Sequence, residues 1–437
     1  MTGTASRALH PARRIAGTLV VPGDKSIGHR ALLFAALATG RSVVRGLPPG
    51  ADVRTTRRAV EALGVSVRDE AGSVVIEGRG WDGLARAPSE PPLALDCGNS
   101  GTTSRLLLGL LSGRPGRFLL TGDASLSRRP MGRVTRPLAA FGAVIEGGET
   151  LPLTVAGRAL RAARAATGVA SAQVKSALVL AALQAEGEST IEEPEPTRDH
   201  TERMLASMGA AIAPAGGAGT VWRVAGGSPR LAPLDLAVPG DPSSAAFFVG
   251  LASALPGSAL TVHGVALNPR RIGFLRVLRM MGARVGWSED ETVPEPTGTI
   301  QVAGGVLAGT TIAGQDVVDA IDELPLLAVL AAVAEGETRI EGAGELRVKE
   351  SDRIAATLAL LRAFGAACEE LPDGLVVAGG ARLVGTGFDA RGDHRIAMAG
   401  AVAAALAEGP SSLTGGEWVT ISYPAFFEDL ERLAESP

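Results

Sequence analysis

Six times along its 437 residues, this chain runs from a short polar or glycine-containing stretch straight into a strongly apolar segment rich in Ala and Leu. The first three copies are Gly23-Asp24-Lys25-Ser26 into residues 31–38, Cys97-Gly98-Asn99-Ser100-Gly101-Thr102 into 106–111, and Ser171-Ala172-Gln173-Val174-Lys175-Ser176 into 177–183. The second three are Gly240-Asp241-Pro242-Ser243-Ser244 into 245–254, Asp319-Ala320-Ile321-Asp322-Glu323 into 324–334, and Gly392-Asp393-His394-Arg395 into 396–406. Successive copies start about 70 to 80 residues apart, longer than a common solenoid period and long enough for a small α/β unit. Six such units read as three plus three. Between them the chain alternates β-branched runs (73–77, 299–302, 374–377) with second amphipathic helices (55–63, 353–364). The fold class is therefore α/β, with the repeat helices buried.

A chain of this length exceeds one ordinary core, so two or three domains are expected. Hydrophobic residues at 46% against 20% charged mark a globular chain. Aromatics at 3% leave too few stacking platforms for single-stranded nucleic acid. A formal net charge of -4 gives no global pull towards nucleic acid or an anionic membrane, so any anion site must be a local cluster. Two unpaired cysteines, Cys97 and Cys368, suggest neither a disulfide framework nor a zinc site. Residues 1–14 are basic but lack the apolar core of a secretory signal, and the apolar runs stop well short of the ~20 residues that span a bilayer. A cytoplasmic chain is expected, with nothing demanding more than a monomer.

Ser, Asp and Asn in the repeat loops are good N-caps, and a helix N-terminus with unpaired N–H groups attracts anions. Ordinary capping would account for any single copy; several copies that also carry basic side chains point to a site. Lys25, Ser26 and Arg30 bracket one helix start, placing the two cations near each other across its first turn. A nucleotide P-loop would need Gly directly before Lys-Ser, where this chain has Asp24. Gly101-Thr102-Thr103-Ser104-Arg105 lets a ligand approach the backbone. Arg128-Arg129-Pro130 forms a basic corner suited to a carboxylate, and Arg198 opens a helix. Lys349 and Arg353 stand an i,i+4 step apart and would share a helix face beside Glu350. Asp319, Asp322 and Glu323 precede a very apolar helix, an odd place for three carboxylates unless they face a polar cleft. His394 opens another, between Asp393 and Arg395. With no metal-ligand spacing, nucleotide fingerprint or candidate nucleophile, this inventory fits proton transfer on bound anions.

The motifs Pro22-Gly23-Asp24-Lys25-Ser26-Ile27-Gly28-His29-Arg30, Gly98-Asn99-Ser100-Gly101-Thr102, Arg129-Pro130-Met131-Gly132, Ser171-Ala172-Gln173, Arg198-Asp199-His200, Arg347 to Arg353 and Asp393-His394-Arg395 stand in the order found in one family. Over nearly its whole length the chain resembles the 5-enolpyruvylshikimate-3-phosphate synthases. The resemblance implies an inverse α/β barrel in two domains, each of three βαβαββ units with pseudo-threefold symmetry, closing on substrate. One domain would be residues 1–22 plus 240–437 and the other 23–239, with hinges near 20–22 and 238–241.

The implied reaction joins the 5-hydroxyl of shikimate 3-phosphate to C2 of phosphoenolpyruvate and releases phosphate, without cofactor or metal. By motif, Ser26, Arg30, Ser171, Ala172, Gln173 and Arg198 would hold shikimate 3-phosphate, with Lys25, Asp322 and Lys349 also at that ligand. Lys25, Gly101, Arg129, Arg353 and Arg395 would hold phosphoenolpyruvate, sharing Gln173. Asp322 would act as base and Glu350 as acid, with Lys25 and Lys349 stabilising charge and His394 in the catalytic set. Two departures stand out. Ile421-Ser422-Tyr423-Pro424 replaces a Lys-Thr-Phe-Pro stretch whose lysine reaches phosphoenolpyruvate in many members, and Ala172 replaces a serine of some members. With Gly101 in place, glyphosate is expected to bind. The rivals are UDP-N-acetylglucosamine enolpyruvyl transferase, which uses a cysteine in the stretch comparable to residues 111–133, where this chain has none, and a non-catalytic anion-binding relative.

Overall fold

The structure, a computed structural model, describes residues 6–84, 91–216 and 220–436. The first five residues of the basic N-terminal stretch and residue 437, both assigned above to one domain, lie outside that range. The chain divides into two compact units. An inner unit comprises Gly23–Val238 with Val293–Glu295, and a split unit holds the described residues up to Pro22, Pro239–Thr292 and those from Pro296 onward.

Each polar loop enters a helix. The inner unit contains α1 (Lys25–Leu37), α2 (Gly101–Ser112) and α3 (Ala172–Ala182); the split unit contains α4 (Pro242–Ala254), α5 (Leu324–Val333) and α6 (His394–Leu406). These segments are apolar on every side, which only a helix surrounded by protein can afford. Every residue of α2 is buried; in α1 all are except Lys25 and Ser26, and in α3 all except Ala172 and Gln173. The chemistry-bearing residues are thus the only parts of α1 and α3 that reach out of the core. Side chains cap four of the six: Asp24 accepts from Ile27 N at 2.8 Å, Ser100 from Thr103 N at 3.1 Å, Asp241 from Ser243 N at 2.8 Å and Asp393 from Arg395 N at 2.9 Å. Ser171 and Glu323 stand at the cap positions of α3 and α5 without such a bond. Close approach of α2 to α3 depends on Gly109, where a Cβ would lie 2.1 Å from the Ala177 carbonyl oxygen.

The sheets repeat one connectivity. Arg164–Ala166 runs parallel to Glu188–Glu192, which pairs antiparallel with Val221–Ala225, itself antiparallel to Ile212–Pro214. With α3 and the helix His200–Ser207 in the connections, this is one βαβαββ unit. Leu93–Asp96, Gly116–Thr121, Leu153–Gly157 and Val144–Gly147 repeat the order. The first repeat takes its leading strand from the far end of the unit, where Asp235–Ala237 pairs parallel with Thr39–Arg45 and closes the set of three.

In the split unit, Arg14–Leu19 leads the first repeat by pairing parallel with Ala259–Ala266, and Thr311–Ile312 leads the second, parallel to Thr338–Ile340. The third pairs Gly387–Asp389 parallel with Ser411–Thr414, and Ser6–Leu9 stands where the other repeats carry a hairpin. Each unit is an inverse α/β barrel, with helices inside and sheets outside. Strands read at 73–77 and 299–302 extend over Ser73–Arg79 and Thr297–Ala303. Among the described residues no helix is long and apolar enough to cross a membrane.

Candidate active site

In the inner unit the cations sit at helix starts. Lys25 opens α1 and its Nζ donates to Asp52 Oδ2 at 3.1 Å. Arg30, a turn further on, reaches elsewhere: Nε donates to Thr201 Oγ1 at 2.7 Å, Nη2 to Ser176 Oγ at 2.8 Å and Nη1 to the Ser26 carbonyl at 2.9 Å. The spacing of Lys25 and Arg30 suggested neighbours across one turn, yet each is aimed by a different partner. Burial pulls the Arg30 guanidinium down to about 10; Glu202, Asp24 and Glu295 oppose that pull, and the charge of Arg198 adds to it. His29, between them in sequence, is buried, bonded to Thr56 Oγ1 at 2.6 Å and pushed well below its ordinary value by burial and by Lys25 and Arg30. It is a neutral support in the core.

Gly101, at the start of α2, lies against two guanidinium groups. A Cβ there would lie 2.9 Å from Arg105 Nη1 and 3.3 Å from Arg129 Nη1. Arg129 is 7% exposed and donates to Asn99 Oδ1 at 2.7 Å. Gln173, in the first turn of α3, accepts from Arg105 and donates to Thr102 Oγ1 at 2.8 Å. Ser171, Ala172 and Arg198 are half-buried.

The split unit gathers four cations around one carboxylate. Asp322 Oδ1 lies 3.5 Å from Lys349 Nζ and 3.4 Å from Arg353 Nη1; its Oδ2 lies 3.7 Å from Arg395 Nη2 and 3.9 Å from Arg271 Nη1. Arg395, near the start of α6, also donates to the Asp322 carbonyl at 3.0 Å and to Glu323 Oε1 at 3.3 Å, and Glu323 accepts from Ser243. Arg353 donates to Asp393 at 2.8 Å and to Glu350. Burial acts to lower the Arg353 guanidinium, but the carboxylates of Asp393, Glu350 and Asp322 outweigh it and hold the group above its ordinary value. His394, the first residue of α6, is buried beside Asp393, whose carboxyl its charge helps to lower.

Two expectations change. Lys349 and Arg353 do not share a helix face, because Asp352 caps a helix that begins at Arg353, and Lys349 lies before it, just after the 3-10 turn Gly344–Val348. They meet at Asp322 from different elements. Asp319 is held apart from Asp322, taken by Arg276 at 2.5 Å and Gln315 at 2.7 Å. In the run that replaces the lysine stretch, Ile421 and Tyr423 are buried, Ser422 is half-buried and Pro424 is exposed. Sequence reading missed Arg271 and Asp241, which pair at 2.8 Å, although Asp241 shares the Gly-Asp opening of the loops at Asp24 and Asp393. Cys97 is buried and its thiol is pushed up to about 12, mainly by desolvation.

Fold and clusters together define an inverse α/β barrel protein whose helix starts gather ammonium and guanidinium groups, the class of the enolpyruvyl transferases. Residues 9–430 match the family model for EPSP synthase (3-phosphoshikimate 1-carboxyvinyltransferase), and the chain belongs to that family. It is 48% identical to the 3-phosphoshikimate 1-carboxyvinyltransferase of Prochlorococcus marinus, over 99% of this chain and 98% of the relative. A second relative of that name, from Pelotomaculum thermopropionicum, is also 48% identical over 97% of both chains. Among solved structures, an EPSP synthase from Acinetobacter baumannii superposes with a TM-score of 0.85 at 39% identity, covering 99% of this chain and 98% of that one.

Proposed function

We propose that the chain transfers the enolpyruvyl group of phosphoenolpyruvate to the 5-hydroxyl of shikimate 3-phosphate and releases phosphate, a step towards chorismate and the aromatic amino acids. The observation that carries this reading is Asp322, a carboxylate with four cations within 4 Å of its oxygens. Cations so gathered can hold phosphate and carboxylate groups and stabilise the negative charge that develops on them; in this reading Asp322 takes the hydroxyl proton once bound ligand anions share those cations.

In this reading Ser26, Arg30, Ser171, Gln173 and Arg198 hold shikimate 3-phosphate, with the backbone at Ala172 serving one phosphate oxygen, and Lys25, Asp322 and Lys349 act at the same ligand. Lys25, Gly101, Arg129, Gln173, Arg353 and Arg395 hold phosphoenolpyruvate. Buried guanidinium groups suit both ligands, because phosphate and carboxylate each accept two parallel N–H bonds. Glu350 protonates the methylene carbon as the 5-oxygen bonds to C2, giving a tetrahedral intermediate. Loss of a proton from the new methyl group as the C2–O bond to phosphate breaks restores the double bond, and His394 supports Asp393 beside Arg353. A Glu350→Gln variant that kept full activity across the pH range would remove the acid role.

Glyphosate, itself an anion with phosphonate and carboxylate ends, is proposed to compete for the phosphoenolpyruvate cations, and lack of inhibition at micromolar concentration would refute this. A monomer in the cytoplasm is the proposed working form, where the free thiols Cys97 and Cys368 stay reduced. Phosphate release from phosphoenolpyruvate that requires shikimate 3-phosphate tests the whole reading. Release that ignores shikimate 3-phosphate, or responds instead to UDP-N-acetylglucosamine, would overturn it.

A further inference from the structure

Lys175, in the first half of α3, is fully buried. Its ammonium donates to Glu193 Oε1 at 2.9 Å and to the Thr197 carbonyl at 3.3 Å, and lies 3.4 Å from Glu202 Oε1. Trp222 borders the cluster, with its ring centroid 5.2 Å from Nζ and its Nε1 donating to Glu193 at 3.3 Å. Glu193 and Thr197 are the two ends of one turn, and Thr197 Oγ1 closes it by donating to Glu193 Oε2 at 2.5 Å.

That turn joins the strand Glu188–Glu192 to the helix His200–Ser207, and it contains Pro194 and Pro196. Each proline removes a backbone donor from the turn. The buried ammonium grips both of its ends, Glu193 by the carboxylate and Thr197 by the carbonyl. The residue after Thr197 is Arg198. The residue after Lys175 is Ser176, whose hydroxyl takes Arg30 Nη2 at 2.8 Å and bonds Thr201 Oγ1 at 2.6 Å, the group that also takes Arg30 Nε. One turn of α3 therefore bonds Arg30 directly through Ser176 and clamps, through Lys175, the turn that leads into Arg198.

We infer that Lys175 is a positioning residue, whose ammonium fixes the Glu193–Thr197 turn and through it the place of Arg198 at the phosphate of the acceptor. The inference rests on the reading that Arg30 and Arg198 hold shikimate 3-phosphate. A buried ion pair is a poor source of net stability compared with apolar packing of equal volume, so a geometric role accounts better for three charges placed in this core.

The test measures KM for each substrate and kcat in the wild type, Lys175→Met, Arg198→Ala and the double variant. Loss of one well-placed charged contact is worth about tenfold or more, so Lys175→Met should raise the KM for shikimate 3-phosphate on that scale. The KM for phosphoenolpyruvate and kcat at saturating acceptor should stay near wild type. The double variant should be no worse than Arg198→Ala alone, because both remove the same contact. Equal increases for both substrates, a fall in thermal midpoint with unchanged KM, or full additivity in the double variant would overturn the inference. If Arg198→Ala leaves the KM for shikimate 3-phosphate unchanged, the reading beneath the inference fails; if it raises that KM and Lys175→Met does not, the inference alone fails. Should Lys175→Met not fold, Thr197→Val loosens the same turn without stranding a charge. A selective but smaller rise in the acceptor KM supports the role, and an unchanged KM overturns it.

Discussion

Arg353 and Asp393 form a buried pair in which Nε donates to Oδ2 at 2.8 Å and Nη2 to Oδ1 at 3.3 Å, with the two residues 40 positions apart. Asp393 also caps α6, so one carboxylate both starts that helix and orients the guanidinium that faces Asp322. Burial acts to raise the Asp393 carboxyl, and Arg353 overrides it and holds the group below its ordinary value. A depressed folded-state value means the contribution to stability is complete above the ordinary Asp value of about 4 and is lost as pH falls through the depressed one.

Asp393→Asn should therefore destabilise the chain by about 1.5–3 kcal/mol at neutral pH, the scale of a hydrogen bond to a charged group. The difference from wild type should shrink as pH drops below about 4, where the carboxyl of the unfolded chain takes up a proton while the folded one stays charged, and should vanish below the depressed folded value. Urea midpoints of both proteins from neutral to acid pH check this. A gap that stays constant down the acid limb would mean the charge of Asp393 contributes nothing.

Lys25→Met separates turnover from folding. Lys25 is partly exposed and its pair with Asp52 is mostly shielded, with side chains 18% and 9% exposed. Loss of the pair should cost about 1–2 kcal/mol, between the exposed and buried cases. Turnover should fall by about 10²- to 10³-fold, the loss seen when one group aimed at developing charge is removed. Thermal unfolding and initial rates on the same preparation decide it, and near-normal turnover in a folded variant would move the centre of the site away from α1.

Much of the fold is local in sequence and was readable, as were the clusters of charged residues at the helix starts. A polar loop running into an apolar helix is a junction of adjacent residues, so α1 to α6 and their polar starts follow from the chain itself. The rest depends on residues far apart. Asp235–Ala237 pairs with Thr39–Arg45 across nearly the whole inner unit, and neither segment carries a mark naming its partner. Arg271 meets Asp241 only because a loop after Ala259–Ala266 returns to the start of α4. Lys349 and Arg353 show the converse: their spacing suggested a helix face, and the cap at Asp352 ended that possibility while Asp322 brought them together by another route. The count of Val293–Glu295 with the inner unit, where Glu295 takes His200 Nδ1 at 2.7 Å, had no signal in the sequence.

Gly101→Ala tests whether the start of α2 shapes one ligand pocket in particular. The new methyl carbon would lie 2.9 Å from Arg105 Nη1 and 3.3 Å from Arg129 Nη1, both closer than an ordinary contact. Both neighbours are ends of flexible side chains, so they can move aside and the fold should keep its stability to within about 0.5 kcal/mol. What they cannot keep is their position against a bound anion. The KM for phosphoenolpyruvate should rise about tenfold, the scale of one misplaced methyl group in a fitted site, and inhibition by glyphosate should weaken in parallel. The KM for shikimate 3-phosphate should change less, because Arg30 is held by Ser176 and Thr201, and only Gln173, which accepts from Arg105, links the change to that ligand. Steady-state kinetics with each substrate varied in turn measure this, and an unchanged KM for phosphoenolpyruvate in a folded Gly101→Ala protein would take Gly101 and Arg129 out of that pocket.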